Sequence, residues 1–291
     1  MHQTVNPGEY LLSDSVWRAD DTRRYAERGC DAVFLAFGDD IGRKLDLTFL
    51  SDLPGLRRVA IEGPLRDDTL VFELEDLLGL ALMTRSKKAV RLDRTPKLDT
   101  LLLSQRPGLE TIGALAALEY LTINRCTGSD LTLLGAKPEL VYLRIEGRYG
   151  PLALRGIEAA PKLRQLEVID ATVESLEPLA DLVELQELVV RPNSTLEPPE
   201  PLRLDPVANL PDLHTLRLGA IASAAPLAVA RGLRRLVVGT VLDGDLRPLI
   251  DLPDQVTVTV LDDAAQNREV QRLRRAGRGR LQHPHEPRTL R

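Results

Sequence analysis

The sequence predicts an α/β solenoid, in which short units of nearly equal length stack so that their strands lie side by side in one parallel sheet. Three observations carry that prediction. Leucine supplies 56 of the 291 residues, while Phe, Trp and Tyr together make 3%. A core of near-identical aliphatics implies near-identical gaps, whereas an ordinary globular core uses large rings to fill uneven ones. A template of leucine, two residues, aliphatic, one residue, aliphatic recurs along the chain, with first positions at 56, 77, 98, 118, 140, 163, 185, 213, 233 and 253. Finally, the intervals of 20 to 23 residues, with one of 28, leave about ten residues for each return path, room for a short helical or 3₁₀ turn.

Taken in order, residues 1–29 precede the template and are read as an N-terminal capping segment. In DDTRRYAERG, Asp20 or Asp21 caps a helix, Tyr25 lies on one face and Gly29 stops it. Tyr10, Leu11, Leu12, Val16 and Trp17 are placed over the first coil. Residues 30–261 hold ten to eleven units. Cys30, Val33 and Leu35 open the series, Leu56, Val59 and Ile61 follow, and Pro253, Val256 and Val258 close it with a degenerate first position. The fourth and sixth positions point the same way from a strand whose side-chain period is two. The first position enters the same interior from the preceding turn. One unit cannot bury these residues alone, so successive units must stack.

Return segments such as LSDLPGL and LEPLADLVEL carry a second leucine set that includes Leu53, Leu134, Leu179, Leu182, Leu210, Leu249 and Leu252. The 28-residue interval contains an insertion near Asn193 to Pro201, read either as part of a binding surface or as a proline-stiffened surface loop. Residues 262–277 are predicted to form a C-terminal capping helix, acidic at its start, arginine-rich at its close and ended by Gly277. Residues 278–291 form a basic tail without periodicity, expected to be mobile.

The segments LEYLTINRC, PELVYLRIEG and PKLRQLEVID resemble the strand segment of the leucine-rich repeat family, in its bacterial form with short units, over about residues 30 to 260. That resemblance implies a curved right-handed coil, a parallel sheet on the concave face, short turns on the convex face, and protein binding on the concave sheet. One departure matters. The family commonly carries Asn or Cys three residues after the sixth-position aliphatic, and here only Cys126 and Asn193 fit, so turn geometry is expected to vary.

Composition narrows the function classes. With 43% hydrophobic and 28% charged residues, the chain is expected to fold, and its apolar runs are too short for a transmembrane helix. The absence of a basic-then-apolar start points to a cytoplasmic protein. Cys30 and Cys126 are expected as reduced thiols. The arginine-heavy basic set, 32 Arg against six Lys, suggests a GC-rich bacterial source. The net charge of -5 conceals an asymmetry: residues 268–291 carry +6 and the remainder -11. An acidic body argues against nucleic-acid binding except through the tail.

The outward strand positions are the third, fifth and seventh of each unit. Tyr120 and Tyr142 fall there on adjacent strands, with Arg144, Glu146, Glu167 and Arg217 nearby. These six are the candidate partner-binding residues, because tyrosine beside arginine is what protein interfaces favour. The competing reading is a tyrosine ladder of purely structural value, with Arg144 paired to Glu167. No catalytic, cofactor or metal site is predicted: His2, His214, His283 and His285 are scattered, and no phosphate loop, nucleophile elbow or zinc spacing is present. The expected function is a monomeric, non-enzymatic protein-binding scaffold. The alternatives are an immunity or inhibitor protein that occludes a toxin or enzyme, and anionic-surface or nucleic-acid binding by the arginine tail.

Overall fold

The structure, a computed structural model, describes residues 8–13, 15–42, 45–147, 151–192 and 201–281. It divides into two compact units, Met1–Tyr149 with Arg155–Leu163 and Gly150–Leu154 with Arg164–Arg291. In the first unit the strands are β1 (Glu9–Ser13), β2 (Ala32–Ala36), β3 (Arg58–Gly63), β4 (Gly79–Thr84), β5 (Thr100–Ser104), β6 (Tyr120–Asn124) and β7 (Tyr142–Glu146). Each pairs in parallel with the next in chain order. The register keeps template positions level, so that Val33, Val59, Leu80, Leu101, Leu121 and Leu143 form one inward row, each no more than 2% exposed.

The sheet begins one strand earlier than the template does. Tyr10 and Leu12 take the inward places of the fourth and sixth positions, so residues read as cap are partly sheet. The residue three before Tyr10 is Pro7 rather than leucine, which hid the unit. Helix α1 (Ala19–Glu27) follows, with Arg18 at its N-cap. Asp21 acts from inside the first turn, its carboxylate accepting the Arg18 N–H at 2.9 Å, so it supplies the N3 half of a capping box rather than standing at the cap. Gly29 ends the helix at φ +61°, as its position predicts. Rings scarce elsewhere gather here: Trp17 stacks on Phe49 at 4.3 Å, and Tyr10 meets both Trp17 and Tyr25. Among the described residues β1 pairs on one side only, so the gaps of this end layer are uneven and large side chains fill them.

The return paths are 3₁₀ turns, including Thr48–Asp52, Thr69–Glu73, Leu109–Ala114 and Thr132–Leu134, with the four-residue helix α2 (Asp39–Gly42) preceding the first of them. The missing Asn column is replaced by a different device. Asp46, Asp67 and Asp130 each accept the backbone N–H two residues on, at 2.9 to 3.1 Å, just as a turn begins. Ser175, Ser223 and Asp245 do the same in the second unit. These Asx and Ser turns pin the chain where the return path starts.

In the second unit β9 (Gln165–Ile169), β11 (Glu187–Arg191), β12 (Thr215–Arg217), β13 (Arg235–Val238) and β14 (Thr257–Val260) form the parallel sheet. A minor ladder joins β8 (Pro151–Leu152) to β10 (Thr172–Val173), and single bridges link Leu202 to Ile221 and Ile221 to Val241. Short helices α3 (Asp205–Ala208) and α4 (Arg247–Ile250) serve as return turns, each with proline in its first turn, where a missing N–H costs nothing. Helix α5 (Ala264–Leu281) closes the unit and continues past Gly277, since one glycine costs only about 1 kcal/mol between good helix formers. Residues 193–200 of the insertion and 282–291 of the tail lie outside the described residues.

One return column carries a misfit. Three residues before each template leucine stand residues such as Leu53, Leu115 and Leu182, all buried, and in the same place Lys137 is fully buried. Its ammonium donates to the Ala136 carbonyl at 3.1 Å, and burial pushes its pKa below the usual lysine value of 10.5. The unfolded chain then binds more protons than the folded one between the lowered pKa and 10.5, so stability rises with pH across that window. Lys137→Met is expected to stabilise the first unit by about 1–3 kcal/mol at neutral pH and to abolish this alkaline rise. Urea melts at several pH values check it, and an unchanged slope would refute the assignment.

Candidate functional site

The sheet has an inward face filled by leucine columns and an outward face made of third, fifth and seventh positions. A solvated face should alternate to polar residues. In the first unit it does not. Its central outward row runs Leu11, Phe34, Ala60, Ala81 and Leu102 on adjacent strands before turning polar at Thr122 and Arg144. All are half-buried. Where this row is built of alanines, beside Ala32 and Gly79, the face sinks into a trough of about 420 Å³ bordered by Glu9, Asp31 and Arg58.

Beside it stand the predicted tyrosines. Tyr120 and Tyr142 are register partners on β6 and β7, with ring centroids 6.4 Å apart and planes tilted by 35°. Tyr120 is 47% exposed. Arg144 donates through Nη2 and Nε to Glu146 Oε2, at 2.6 and 3.1 Å, so these two neighbours on one strand form a fixed pair. The structure therefore brings Tyr120, Tyr142, Arg144 and Glu146 together. Glu167 and Arg217 lie on the outward face of the second unit, each opposite Val189 in the register of β9, β11 and β12, and the Gln165 side chain donates to Glu167 at 2.8 Å.

A second concavity of about 610 Å³ sits at the carboxyl-terminal ends of the first unit's strands, lined among others by Glu62, Met83, Ser104, Asn124 and Arg125. Sequence reading did not single it out. Its signal is the seventh-position column, which supplies Glu62, Met83, Ser104 and Asn124. Arg125 follows β6 in the left-handed region at φ +54°. The equivalent position is Gly63 at the end of β3 and Gly147 after β7, both at positive φ, and Asp170 after β9, at φ +56°. An arginine held there costs roughly 1–2 kcal/mol of backbone strain. Arg125→Gly is expected to raise stability by about 0.5–1 kcal/mol after the entropy glycine adds to the unfolded chain, measured as a shift of the urea midpoint at constant slope.

Among the described residues no group of three or more His, Cys, Asp or Glu stands where it could hold a metal ion. No helix among them is long and apolar enough to cross a membrane. Cys30 and Cys126 are buried and unbridged. Arg274, counted with the basic tail, is instead buried and bonded to main-chain carbonyls, which removes it from any exposed basic surface.

No protein-family model matches the chain, and no curated protein matches it. Solved structures do. An internalin, InlF of Listeria monocytogenes, aligns with a TM-score of 0.58 at 17% identity over 86% of this chain and 79% of its own. Internalin C2 of the same organism aligns at 0.39 and 19% identity, over 83% of each chain. A TLR13 complex with single-stranded RNA aligns at 0.33 and 14%, over 86% of this chain and 52% of its own. The InlF match, with parallel strands joined by 3₁₀ turns, shows the fold: this chain is a leucine-rich repeat solenoid.

Proposed function

We propose that this leucine-rich repeat solenoid is a non-enzymatic, cytoplasmic scaffold that binds a protein on the outward face of its sheet. The observation that carries the reading is the apolar central row from Leu11 to Leu102, which faces outward where water alone would favour polar residues. Tyr120 and Tyr142 continue that surface with rings that bury area at small entropic cost. A narrower version, an immunity or inhibitor protein for a basic toxin or enzyme, draws on the -11 charge of residues 1–267. Nucleic-acid binding by the tail is the weaker reading, because Arg274 is engaged within the fold.

The experiment is affinity capture from the producing cell with the whole chain, followed by quantitation of each captured protein on variants. Phe34→Asp and Leu102→Asp are expected to abolish capture of the true partner. Tyr120→Ala is expected to weaken it about tenfold or more, near 1–2 kcal/mol, without moving the thermal midpoint. A partner retained equally by all three variants rejects the outward face as the interface.

A further inference from the structure

We propose that the groove at the carboxyl-terminal ends of β3 to β6 binds an extended peptide segment that presents a positive group to Glu62 and a negative group to Arg125. The inference rests on the protein-binding reading above and adds the chemistry of the bound segment.

The argument begins with which polar groups are already engaged. Of the charged residues lining the groove, Arg85 pairs with Asp39 at 3.2 Å and Glu146 with Arg144 at 2.6 Å. Those pairs build the walls. The side chains of Glu62, Ser104, Asn124 and Arg125 have no hydrogen-bond or ion-pair partner among the described residues. From β3 to β6 they run carboxylate, hydroxyl and carboxamide, with the guanidinium of Arg125 next along the chain after Asn124; Ser104 and Asn124 are in direct register and Met83 is beside Glu62. The groove thus has a negative end, a neutral middle that can both donate and accept, and a positive end.

The complement of that order is a cation, one or more main-chain amides, and an anion. Three strand steps of about 4.8 Å separate the backbones of β3 and β6 by roughly 14 Å. Side chains reaching inward shorten this to about 10 Å, which an extended segment of three residues spans at about 3.3–3.6 Å each. Ser104 and Asn124 can each donate to a peptide carbonyl and accept from an amide. Met83 on β4, 39% exposed, offers an adaptable apolar contact between Glu62 and Ser104. Arg125 is the second line of argument. Its backbone holds a left-handed conformation at φ +54° that only Asp170 shares among the described non-glycine residues, and strain of that kind accompanies a functional side chain more readily than a purely structural one.

The test is a ¹H–¹⁵N titration of the full chain with two probes of this polarity. Free triglycine carries its charges at its chain ends, and acetyl-Lys-Gly-Asp-amide carries them on side chains. Amide shifts centred on Ser104, Asn124 and Arg125 with a Kd on the order of 1 mM are expected. Whichever probe binds more tightly tells whether a chain end or an internal segment is preferred. Acetyl-triglycine is expected to lose about tenfold, and Glu62→Gln to erase the difference between it and triglycine. Triglycine amide is expected to lose about as much, with Arg125→Gly erasing that difference in turn. The proposal is overturned if neither probe moves these amides, or if Glu62→Gln with Arg125→Gly leaves the shifts unchanged. A silent groove alongside Phe34→Asp abolishing capture removes only the groove. A responsive groove with capture unaffected by Phe34→Asp removes only the apolar face.

Discussion

Arg274→Ala is expected to lower the stability of the second unit by about 3–5 kcal/mol, among the largest effects of any single substitution in the chain. The residue is 7% exposed and its guanidinium spends two nitrogens on four carbonyls. Nη1 donates to Leu249 and Leu252, both at 2.9 Å, and Nη2 to Pro253 and Val256, at 3.0 and 2.8 Å. Leu249 lies in the last turn of α4, where carbonyls lack intrahelical partners. Truncation takes the guanidinium from all four, and only Pro253 keeps another donor among the described residues, the Val256 N–H at 2.9 Å; each acceptor left unpaired costs on the order of 1 kcal/mol or more. Arg274→Lys should recover only part of the loss, because a single ammonium cannot span four acceptors laid out for a planar fork.

The same helix closes the open strand edge. Gln271 donates to the Val258 carbonyl at 2.7 Å, Asn267 accepts the Val260 N–H at 3.2 Å, and Gln266 pairs with both main-chain groups of Val241. A parallel sheet that simply stopped would expose these groups. Hydrogen exchange at the Val241 and Val260 amides, which the helix side chains accept, should therefore accelerate in Arg274→Ala beyond what global destabilisation accounts for. Urea unfolding that shows a loss below about 1 kcal/mol would mean that water replaces the guanidinium and that the cap is not held from this residue.

What the sequence made legible follows from how each feature is encoded. The inward rows were readable because one residue type recurs at one spacing, so Leu101 and Leu121 announce each other. The first strand was not, because Pro7 occupies its template leucine's place and the pattern had nothing to lock onto. Asp46, Asp67 and Asp130 recur at multiples of 21 residues but skip two coils, and aspartate at the start of a loop is common enough that its role shows only when the N–H it accepts is in view. The six candidate residues lie on the outward face because side chains alternate along a strand. The internal Arg144–Glu146 pair was not foreseen, since alternation says which face a side chain takes and nothing about which neighbour it chooses. Charged residues were read as surface throughout, and Lys137 and Asp68 show where that rule fails.

Asp68 sets up the second large effect. In several other coils the residue that precedes the return turn is an inward aliphatic: Leu47, Leu131 and Leu176 are each no more than 4% exposed. Asp68 takes that place, fully buried, and Arg106 comes to it from two coils further on, with Nη1 2.8 Å from Oδ2 and its side chain only 6% exposed. Thr84 donates to the same oxygen at 2.7 Å, and the guanidinium lies 5.9 Å from the centre of the Phe72 ring. The site is only partly satisfied: Asp68 Oδ1 and Arg106 Nε and Nη2 are buried without a protein partner. Removing one member strands the other charge in a dry interior, so Asp68→Leu and Arg106→Met should each cost about 3–5 kcal/mol. Removing both restores the apolar column and discards three unpaired polar atoms, and replacements of that kind range from neutral to about 4 kcal/mol stabilising. The double variant is therefore expected to be at least as stable as the parent, giving a coupling of several kcal/mol in the double-mutant cycle. Additive losses in urea melts would show instead that the three coils depend on this pair, with Thr84 and Phe72 holding position only while it is present.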